Sequence, residues 1–308
     1  MLNLTQQEIL IIKSLQTFIL CVGFIFNAWS VVVVFKYRIF QSKFTRIVLQ
    51  NQFLFDTVIC FYVPFILWVT KDYFDSDNLF DVFICYFWTS QGLYWMCCAF
   101  GNQNLVWTTI DRFLAVIYPT LYKKHLKFLL ISYGVLICLI SVTFGIEISV
   151  GVVVRNSSCQ LILPPESVIF PVTALGYSVV NYFVPVFIFI VCYFRILWKL
   201  KSMQSSNSNE TFRKSTVTFT IACFVNVVLF IALLMMDNIL FIMQCFSLLS
   251  FNIGADIQVI SLFLVSINSC INPFIYLIVM KNFRKHFFLF NIFRKTENKI
   301  TPVFSTTI

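Results

Sequence analysis

The sequence predicts an all-α fold: a bundle of seven membrane-spanning helices followed by a short amphipathic helix on the membrane surface. Composition is the first observation, because 59% of the 308 residues are hydrophobic and only 11% are charged. A soluble domain carries about 25% charged residues to cover its water-facing surface. The other two observations are separate apolar stretches of bilayer-crossing length and a one-sided distribution of Lys and Arg.

A helix that crosses a bilayer needs roughly 20 mostly apolar residues. Seven stretches meet this requirement, at about residues 9–35, 45–70, 82–110, 127–153, 167–198, 215–243 and 254–280. The first is too long for a signal-peptide core and lacks a small-residue cleavage site, so we expect it to be retained. The predicted divisions are an N-terminus (1–8), a seven-helix domain (9–280), an amphipathic helix (281–293) and a tail (294–308).

The basic residues orient these helices. All but three of the 22 Lys and Arg fall in the connections after the first, third and fifth stretches or in the tail. The three on the opposite side are Lys13, Lys71 and Arg155. The positive-inside rule therefore predicts a plasma-membrane protein with the N-terminus outside and the tail in the cytoplasm. The net charge of +9 is then explained by orientation and contact with anionic lipid, without nucleic acid.

Polar residues inside apolar stretches mark functional candidates because they are costly in a bilayer. Asp56 lies in the second stretch and Asn27 in the first, while Asn268 and Asn272 lie one helical turn apart in the seventh. Such residues can form a cluster that holds water or Na⁺. They can equally form a structural hydrogen-bond network between helices. The residues alone leave both interpretations open.

An adjacent pair of opposite charges, Asp111 and Arg112, stands at the inner end of the third stretch. The Arg could reach across the bundle while the Asp restrains it, or the two could form an ordinary interfacial pair with a snorkelling Arg. Pro185 and Pro273 each remove a backbone hydrogen bond and allow a kink in the fifth and seventh helices.

These residues occur in the order found in a known family. Asp111-Arg112-Phe113, with Pro119 after it, resembles the D-R-Y element of rhodopsin-like (class A) G-protein-coupled receptors, and Asn272 to Tyr276 matches their N-P-x-x-Y element. The likeness spans about residues 20–290. Further matches, one or two per helix, are Asn27, Asn51, Asp56, Pro185, Tyr193 and Phe283.

The resemblance implies a role for each matching residue. Arg112 would face the C-terminal helix of a heterotrimeric G protein, and Tyr193 and Tyr276 would swing inward to support it. The family's sodium and water network would be formed by Asn27, Asp56, Asn268 and Asn272. The family's disulfide would join Cys85 to Cys159, with Cys245 as a further thiol on the outer side.

Departures from the family pattern are also informative. Gly101 stands where the family usually has a Ser at its sodium site, so we expect weak ion binding. The fourth helix has no Trp, and the sixth has neither Trp nor Pro. We therefore expect activation to use a different pivot from the family's aromatic toggle.

The same comparison with the family pattern narrows the class of ligand. Tyr94 occupies the position of the acid that binds protonated amines, and Ser266 that of the retinal Lys, so neither an amine receptor nor an opsin is expected. An aromatic, amide-rich wall and an acidic outer loop favour a basic or amidated peptide over lipids or small chemosensory ligands. The expected cavity residues are Gln91, Tyr94, Trp95, Cys98, Glu147, Tyr177, Asn181, Asp237, Asn238 and Gln258.

Two outer sequons, at Asn3 and Asn156, are candidate glycosylation sites. No motif indicates an enzyme, and the scattered Cys and two His predict no metal site other than possible Na⁺ near Asp56. The alternatives to a signalling receptor are a transporter or channel and a receptor-like protein that does not signal. The sequence has no internal repeat and no ring of acids at mid-membrane, and both are features that would indicate a transporter or channel.

Overall fold

A computed structural model describes residues 5–37, 39–40, 42–69, 75–89, 91–155, 158–161, 169–203, 210–246 and 256–288. The predicted glycosylation sites Asn3 and Asn156 lie outside the described residues, as do 289–308. The side chains of Glu147 and Gln258, two of the expected cavity residues, are likewise outside the description.

Helices dominate the described chain. They are α1 (Gln6–Tyr37), α2 (Lys43–Trp68), α3 (Leu79–Phe83), α4 (Gly92–Ile117), α5 (Pro119–Lys124), α6 (Leu126–Gly151), α7 (Ile169–Ser178), α8 (Val184–Met203), α9 (Glu210–Cys245), α10 (Asp256–Val279) and α11 (Lys281–Phe288). Two π-helical turns, Ile84–Thr89 and Val179–Phe183, follow α3 and α7. Strands β1 (Val152–Arg155) and β2 (Ser158–Leu161) form an antiparallel hairpin.

Five helical segments of the described chain are long and apolar enough to cross a membrane, at Gln6–Tyr37, Lys43–Trp68, Leu175–Ser202, Thr216–Leu240 and Val259–Val279. The third and fourth predicted stretches correspond to α4 and α6, each 26 residues long. At 1.5 Å per residue, either helix is long enough for a bilayer about 30 Å thick. α4 is less apolar because amides and hydroxyls occupy its buried face, including Asn102, Asn104 and Thr108.

The prediction of one continuous third helix over 82–110 is wrong. Gln91 has φ 58°, a left-handed conformation that cannot continue a right-handed helix. α4 therefore begins at Gly92 and extends to Ile117. The preceding segment, α3 and its π-helical turn, carries Cys85 to a disulfide bond with Cys159 in β2.

The hairpin is an addition to the predicted all-helical chain. Its first strand begins with three Val residues, and β-branched side chains favour the extended conformation. Val154 pairs directly with Cys159, so the hairpin holds the disulfide in place. Cys85 is fully buried and packs against Val154 and Ile84.

Polarity in the bundle is reversed relative to a soluble protein. Large apolar side chains such as Phe35, Phe187 and Phe194 are exposed, whereas Asn27, Asp111 and other polar groups are buried. Hydrocarbon around the helices favours this arrangement, because a polar group facing lipid lacks a hydrogen-bond partner. The many Phe residues therefore supply much of the apolar outer surface.

Close packing joins α1, α2 and α10. A Cβ atom added at Gly23 would lie 2.6 Å from Cys270 Sγ and 3.0 Å from Cys60 Sγ. Only glycine leaves room for this approach, so it brings the polar residues of the three helices within reach of one another.

Candidate functional site

Two ends of the bundle carry different groups. We call the end with the Cys85–Cys159 disulfide the hairpin end, and the end where α4 finishes and α11 begins the α11 end. Polar side chains of the candidate site run from the α11 end into the middle of the bundle.

Asp111 and Arg112 form a buried ion pair at the α11 end, and both are enclosed by other groups. Thr45 Oγ1 donates to Asp111 Oδ2 at 2.8 Å and accepts from Arg112 Nη2 at 2.9 Å. The Tyr122 hydroxyl donates to the other carboxylate oxygen, Oδ1. We call Thr45, Asp111, Arg112 and Tyr122 the charged lock. It holds the guanidinium close to α2 and α4.

Tyr122, on the short helix α5, closes the lock from outside the spanning helices. Its hydroxyl also lies 2.6 Å from Ser42 Oγ, the N-cap of α2. Burial, and then the negative charge of Asp111, raise the pKa of Tyr122 to about 12. The hydroxyl therefore stays protonated at neutral pH and acts as a donor to the carboxylate.

An aromatic group connects the charged lock to α10. Arg112 Cζ lies 4.3 Å from the ring centroid of Phe219 in α9, a cation–π contact. The same ring lies 6.1 Å, between centroids, from Tyr276 of the predicted activation motif. Tyr276 also packs against Phe53 and Phe283, so its ring is held among α2, α9 and α11.

The other predicted activation residues lie in the same half of the bundle. Tyr193 is buried in α8 and packs against Phe224, with 5.3 Å between ring centroids. Pro273 lies inside α10, one residue after Asn272. The structure thus brings both Tyr residues towards α9, which carries Phe219 and Phe224.

Asp56 lies deeper in the bundle, beside a cavity of about 20 Å³. Asn272 Nδ2 donates to the Asp56 carboxylate at 2.6 Å, and Gln52 Nε2 donates at 3.1 Å. Asn268 also lines the cavity, together with Asn226 from α9. This volume has room for about one or two water molecules, or a small cation of similar size.

The donor set of the cavity fits a hard cation, which takes oxygen ligands. Besides the Asp56 carboxylate, Gln52 Oε1 and Asn226 Oδ1 are buried acceptor atoms without a hydrogen-bond partner in the described part of the chain. A Cβ at Gly101 would lie 3.4 Å from Gln52 Nε2. Gln52 therefore occupies the space beside position 101, where the family pattern has a Ser.

Asn27, predicted with this network, does not line the cavity. Its Nδ2 donates to the backbone carbonyls of Gly23 and Ser269, each at 3.0 Å. The amide thus ties α1 to α10, as a structural link one layer away from Asp56.

A second polar cluster joins α2, α4 and α6. Asn51 Nδ2 donates to the Tyr133 hydroxyl at 2.7 Å, and that hydroxyl donates to Asn104 Oδ1. The Tyr133 ring packs edge-on against Phe44 and Trp107. The fourth spanning helix lacks the family's Trp, and Tyr133 provides its polar and aromatic contacts to the bundle.

The structure places the side chains predicted for a ligand cavity at several different depths and on several elements. Gln91 is the left-handed residue before α4. Tyr94 is buried with Trp95 packed edge-on against it, at 4.9 Å between centroids. Cys98 lies one turn nearer the α11 end than Tyr94 and lines the Asp56 cavity. The remaining described members, Tyr177, Asn181, Asp237 and Asn238, lie on α7, the second π-helical turn and α9.

Two amides of α4 support that π-helical turn. Asn102 Nδ2 donates to the Asn181 carbonyl at 3.4 Å, and Gln103 Nε2 donates to the Val180 carbonyl at 3.3 Å. Asn181 itself donates to the Tyr177 carbonyl at 3.2 Å. Its amide nitrogen therefore stabilises the backbone of its own helix.

Sequence reasoning missed Thr45, Tyr122, Gln52, Asn226, Tyr133 and Phe219. Local sequence carried one usable signal: Gln52 lies one turn before Asp56, so its amide shares a helix face with the carboxylate. The others are brought to the site by helix packing, as Thr45 and Asp111 are 66 residues apart.

Fold and site together define a multi-pass helical membrane protein with a buried polar cavity and a charged lock at one end. The family model described as "7 transmembrane receptor (rhodopsin family)" matches residues 26–276, and the chain belongs to that family. This match confirms the predicted seven-helix fold class and the family resemblance drawn from the motifs.

Three proteins show the range of similarity within the family. The chain is 24% identical to C-C chemokine receptor 1-like protein 1 of Mus musculus, over 96% of this chain and 82% of that protein. It is 24% identical to somatostatin receptor type 4 of Rattus norvegicus, over 90% and 71% respectively. For G-protein coupled receptor 183-A of Danio rerio, identity is 23% over 68% of this chain and 59% of that protein.

Proposed function

We propose that the protein is a plasma-membrane receptor that binds an extracellular ligand at the hairpin end and activates a heterotrimeric G protein at the α11 end. The observation that carries this proposal is the charged lock, in which Arg112 is buried and restrained at the end of α4. Releasing the guanidinium from Asp111 and Thr45 would expose a cation to a partner on that side.

A continuous path of contacts supports coupling between the two ends. Arg112 contacts Phe219, Phe219 contacts Tyr276, and Tyr276 lines the same cavity as Asp56. Cys98 lines that cavity one helical turn below Tyr94. A ligand that contacts Tyr94 could therefore bias the packing around Arg112, provided that it binds the two states with different affinities.

The orientation belongs to the same proposal. All but three Lys and Arg lie on the side of the α11 end or in the segments beyond it, so this end is cytoplasmic by the positive-inside rule. The disulfide at the hairpin end fits an oxidising, extracellular environment. Arg284 and Lys285 of α11 are exposed, while Phe283 and Phe287 are buried. This arrangement suits a surface helix in contact with anionic lipid.

We further propose a peptide ligand. Two of the similar proteins are named as a C-C chemokine receptor-like protein and a somatostatin receptor, which agrees with that expectation. Trp95 and Tyr177, both half-buried, offer aromatic stacking surfaces to such a ligand.

The test is nucleotide exchange on a purified G protein by the receptor in nanodiscs, with the Arg112→Ala variant. We expect the variant to lose exchange above the level of the G protein alone. Arg195→Ala removes an exposed Arg of α8 and serves as the matched control, expected to match the unmodified receptor. Exchange that Arg112→Ala leaves unchanged would contradict the role of Arg112.

Two other outcomes would identify the alternative functions. α9 contains neither Trp nor Pro, which is the observation that favours a receptor-like protein without signalling. Ligand binding without exchange on any G-protein subtype would support that alternative. Ligand-dependent flux through liposomes without a G protein would support a transporter or channel.

A further inference from the structure

Three carboxylates in the described interior of the bundle, Asp56, Asp111 and Asp237, have different partners. Asp111 is neutralised by Arg112, and Asp56 accepts from two amides. Asp237, on α9, accepts from the Ser261 hydroxyl of α10, and no Lys or Arg of the described chain pairs with it. A carboxylate has about four acceptor positions, and the hydrogen bonds of the described residues occupy one of them.

Asp237 lies towards the hairpin end. It is eight residues before Cys245, the last residue of α9, or about 12 Å along the helix. The side chain is half-buried, so it combines partial desolvation with partial exposure. A partly desolvated charge without a countercharge is unfavourable, and residues of this kind in membrane helices are functional candidates.

An aromatic residue of another helix lies at the same depth as this carboxylate. Cys98 of α4, Leu234 of α9 and Val265 of α10 line one cavity. Tyr94, Asp237 and Ser261 each lie about one turn nearer the hairpin end of the same three helices. The Tyr94 side chain is buried, and Trp95 packs edge-on against its ring. A carboxylate beside electron-rich rings is the environment in which proteins hold organic cations.

We propose that Asp237 is the counter-ion of a cation-binding subsite, which takes an amine, amidine or guanidinium group of the ligand. The subsite consists of Asp237 and Ser261, with Tyr94 of α4 at the same depth in the bundle. Position 94 alone argues against amine ligands, since it is Tyr rather than an acid. The structure supplies the missing acid from α9 on the same side of the bundle.

Occupation of the subsite would act on the helices that carry it. Asp237 and Ser261 link α9 to α10. Leu234, one turn earlier on α9, lines the Asp56 cavity, as does Val265, one turn later than Ser261 on α10. A cation that competes with Ser261 for the carboxylate changes the α9–α10 contact directly above that cavity. This consequence rests on the proposed receptor function, whereas cation binding itself does not.

The experiment measures thermal unfolding of the full-length protein in nanodiscs with three small probes of similar shape. They are benzamidinium, which is cationic, benzamide, which is neutral, and benzoate, which is anionic. A ligand that binds only the folded state raises Tm with a saturable dependence on its concentration. We expect this rise with benzamidinium and none with benzamide or benzoate.

Two variants assign the effect to the carboxylate. Asp237→Asn keeps the shape but removes the charge, and it is expected to weaken the apparent affinity for benzamidinium by at least about tenfold. Asp77→Asn removes an exposed acid of the connection before α3 and is the matched control, expected to respond like the unmodified protein. An unchanged response in Asp237→Asn, or no saturable response to benzamidinium in the unmodified protein, would overturn the proposal.

A chemical measurement on the unmodified protein covers the case in which Asp237→Asn does not fold. Carbodiimide-activated coupling of an amine modifies accessible carboxyl groups, and mass spectrometry reports each site. Benzamidinium should slow modification of Asp237 but not of Asp77, and equal rates with and without the probe would again exclude the subsite. Neither assay contains a G protein, so their failure is distinguishable from a failure of the nucleotide-exchange test.

Discussion

At the scale of single residues, Asp111 shows why neighbours in space matter more than neighbours in sequence. Its carboxylate accepts from Arg112, Thr45 and Tyr122, which belong to three different helices. A hydrogen bond to a charged group contributes about 1.5–3 kcal/mol. Loss of one donor should therefore loosen the charged lock without abolishing it.

The first prediction concerns Tyr122. Tyr122→Phe removes the donor to Asp111 and the contact with Ser42 but keeps the ring. Because the lock then holds Arg112 less firmly, we expect basal nucleotide exchange to rise several-fold, up to about tenfold for a shift of 1.4 kcal/mol. Tyr118→Phe, at an exposed position, is the control and should leave basal exchange unchanged. Lower or equal basal activity in Tyr122→Phe would show that the hydroxyl does not restrain the receptor.

Asn226 allows a test of the polar cavity from the side of α9. Asn226→Leu removes a buried acceptor oxygen that lacks a protein partner and faces the same cavity as Asp56. If Na⁺ binds there, NaCl should raise Tm more than choline chloride does, and the variant should show a smaller difference. Asn238→Leu lies on the same helix outside the lining of this cavity and is the control. An equal salt response in both variants and the unmodified protein would argue against an ion at this position.

At the scale of helices, two breaks in regular α-helical geometry, at Gln91 and at the π-helical turn before α8, determine how the neighbouring residues are placed. The left-handed residue Gln91 separates α4 from the segment that carries Cys85. The π-helical turn before α8 leaves the carbonyls of Val180 and Asn181 to amides of α4. The first interruption is held by the disulfide to β2, and the second by the two α4 amides.

A prediction at this scale concerns Tyr133, which ties α6 to α2 and α4. Tyr133→Phe leaves the ring contacts but unpairs Asn51 and Asn104, and interhelical hydrogen bonds in membranes contribute about 0.6 kcal/mol each, rarely above about 1.7. We therefore expect a loss of roughly 1–2 kcal/mol and a Tm lower by a few degrees. Tyr37→Phe keeps a ring that stacks on His286 and is the control. A Tm drop of equal size in the control would remove the case for the Tyr133 hydroxyl.

At the scale of the whole molecule, the distribution of polarity matches a bilayer. Apolar residues such as Phe194 and Trp198 cover the outside, and the polar cavity and charged lock lie inside. A conformational change in such a bundle must rearrange buried polar contacts. Their cost when unpaired makes a small number of discrete states more favourable than continuous deformation.

Orientation is the prediction that belongs to this scale. An epitope tag fused before residue 1 should bind antibody on intact cells, whereas a tag after residue 308 should bind only after permeabilisation. The charge distribution is the reason, because translocation of the basic connections is unfavourable. A tag inserted between α8 and α9 is the control and should behave like the C-terminal tag. Staining of the C-terminal tag on intact cells would reverse the orientation and with it the assignment of the two ends.

The sequence by itself predicted seven spanning segments and the positions of the polar residues within them, although it misplaced the limits of the third segment, where Gln91 interrupts the helix. These properties follow from composition over a window of about 20 residues, which the thickness of the bilayer imposes locally. The motif residues from Asp111 to Tyr276 were also identified in order, because each motif is a short run within one helix. The family model confirms the family resemblance and the seven-helix fold class to which these motifs pointed.

Tertiary structure alone decided which polar groups meet. Thr45 and Tyr122 reach Asp111, Gln52 and Asn226 reach the cavity of Asp56, and Tyr133 joins Asn51 to Asn104. Each contact depends on the rotation and depth of helices that are far apart in the chain, and no local pattern specifies those quantities. The same reason hid the link between Asp237 and Ser261, which places an acid of α9 where position 94 lacks one.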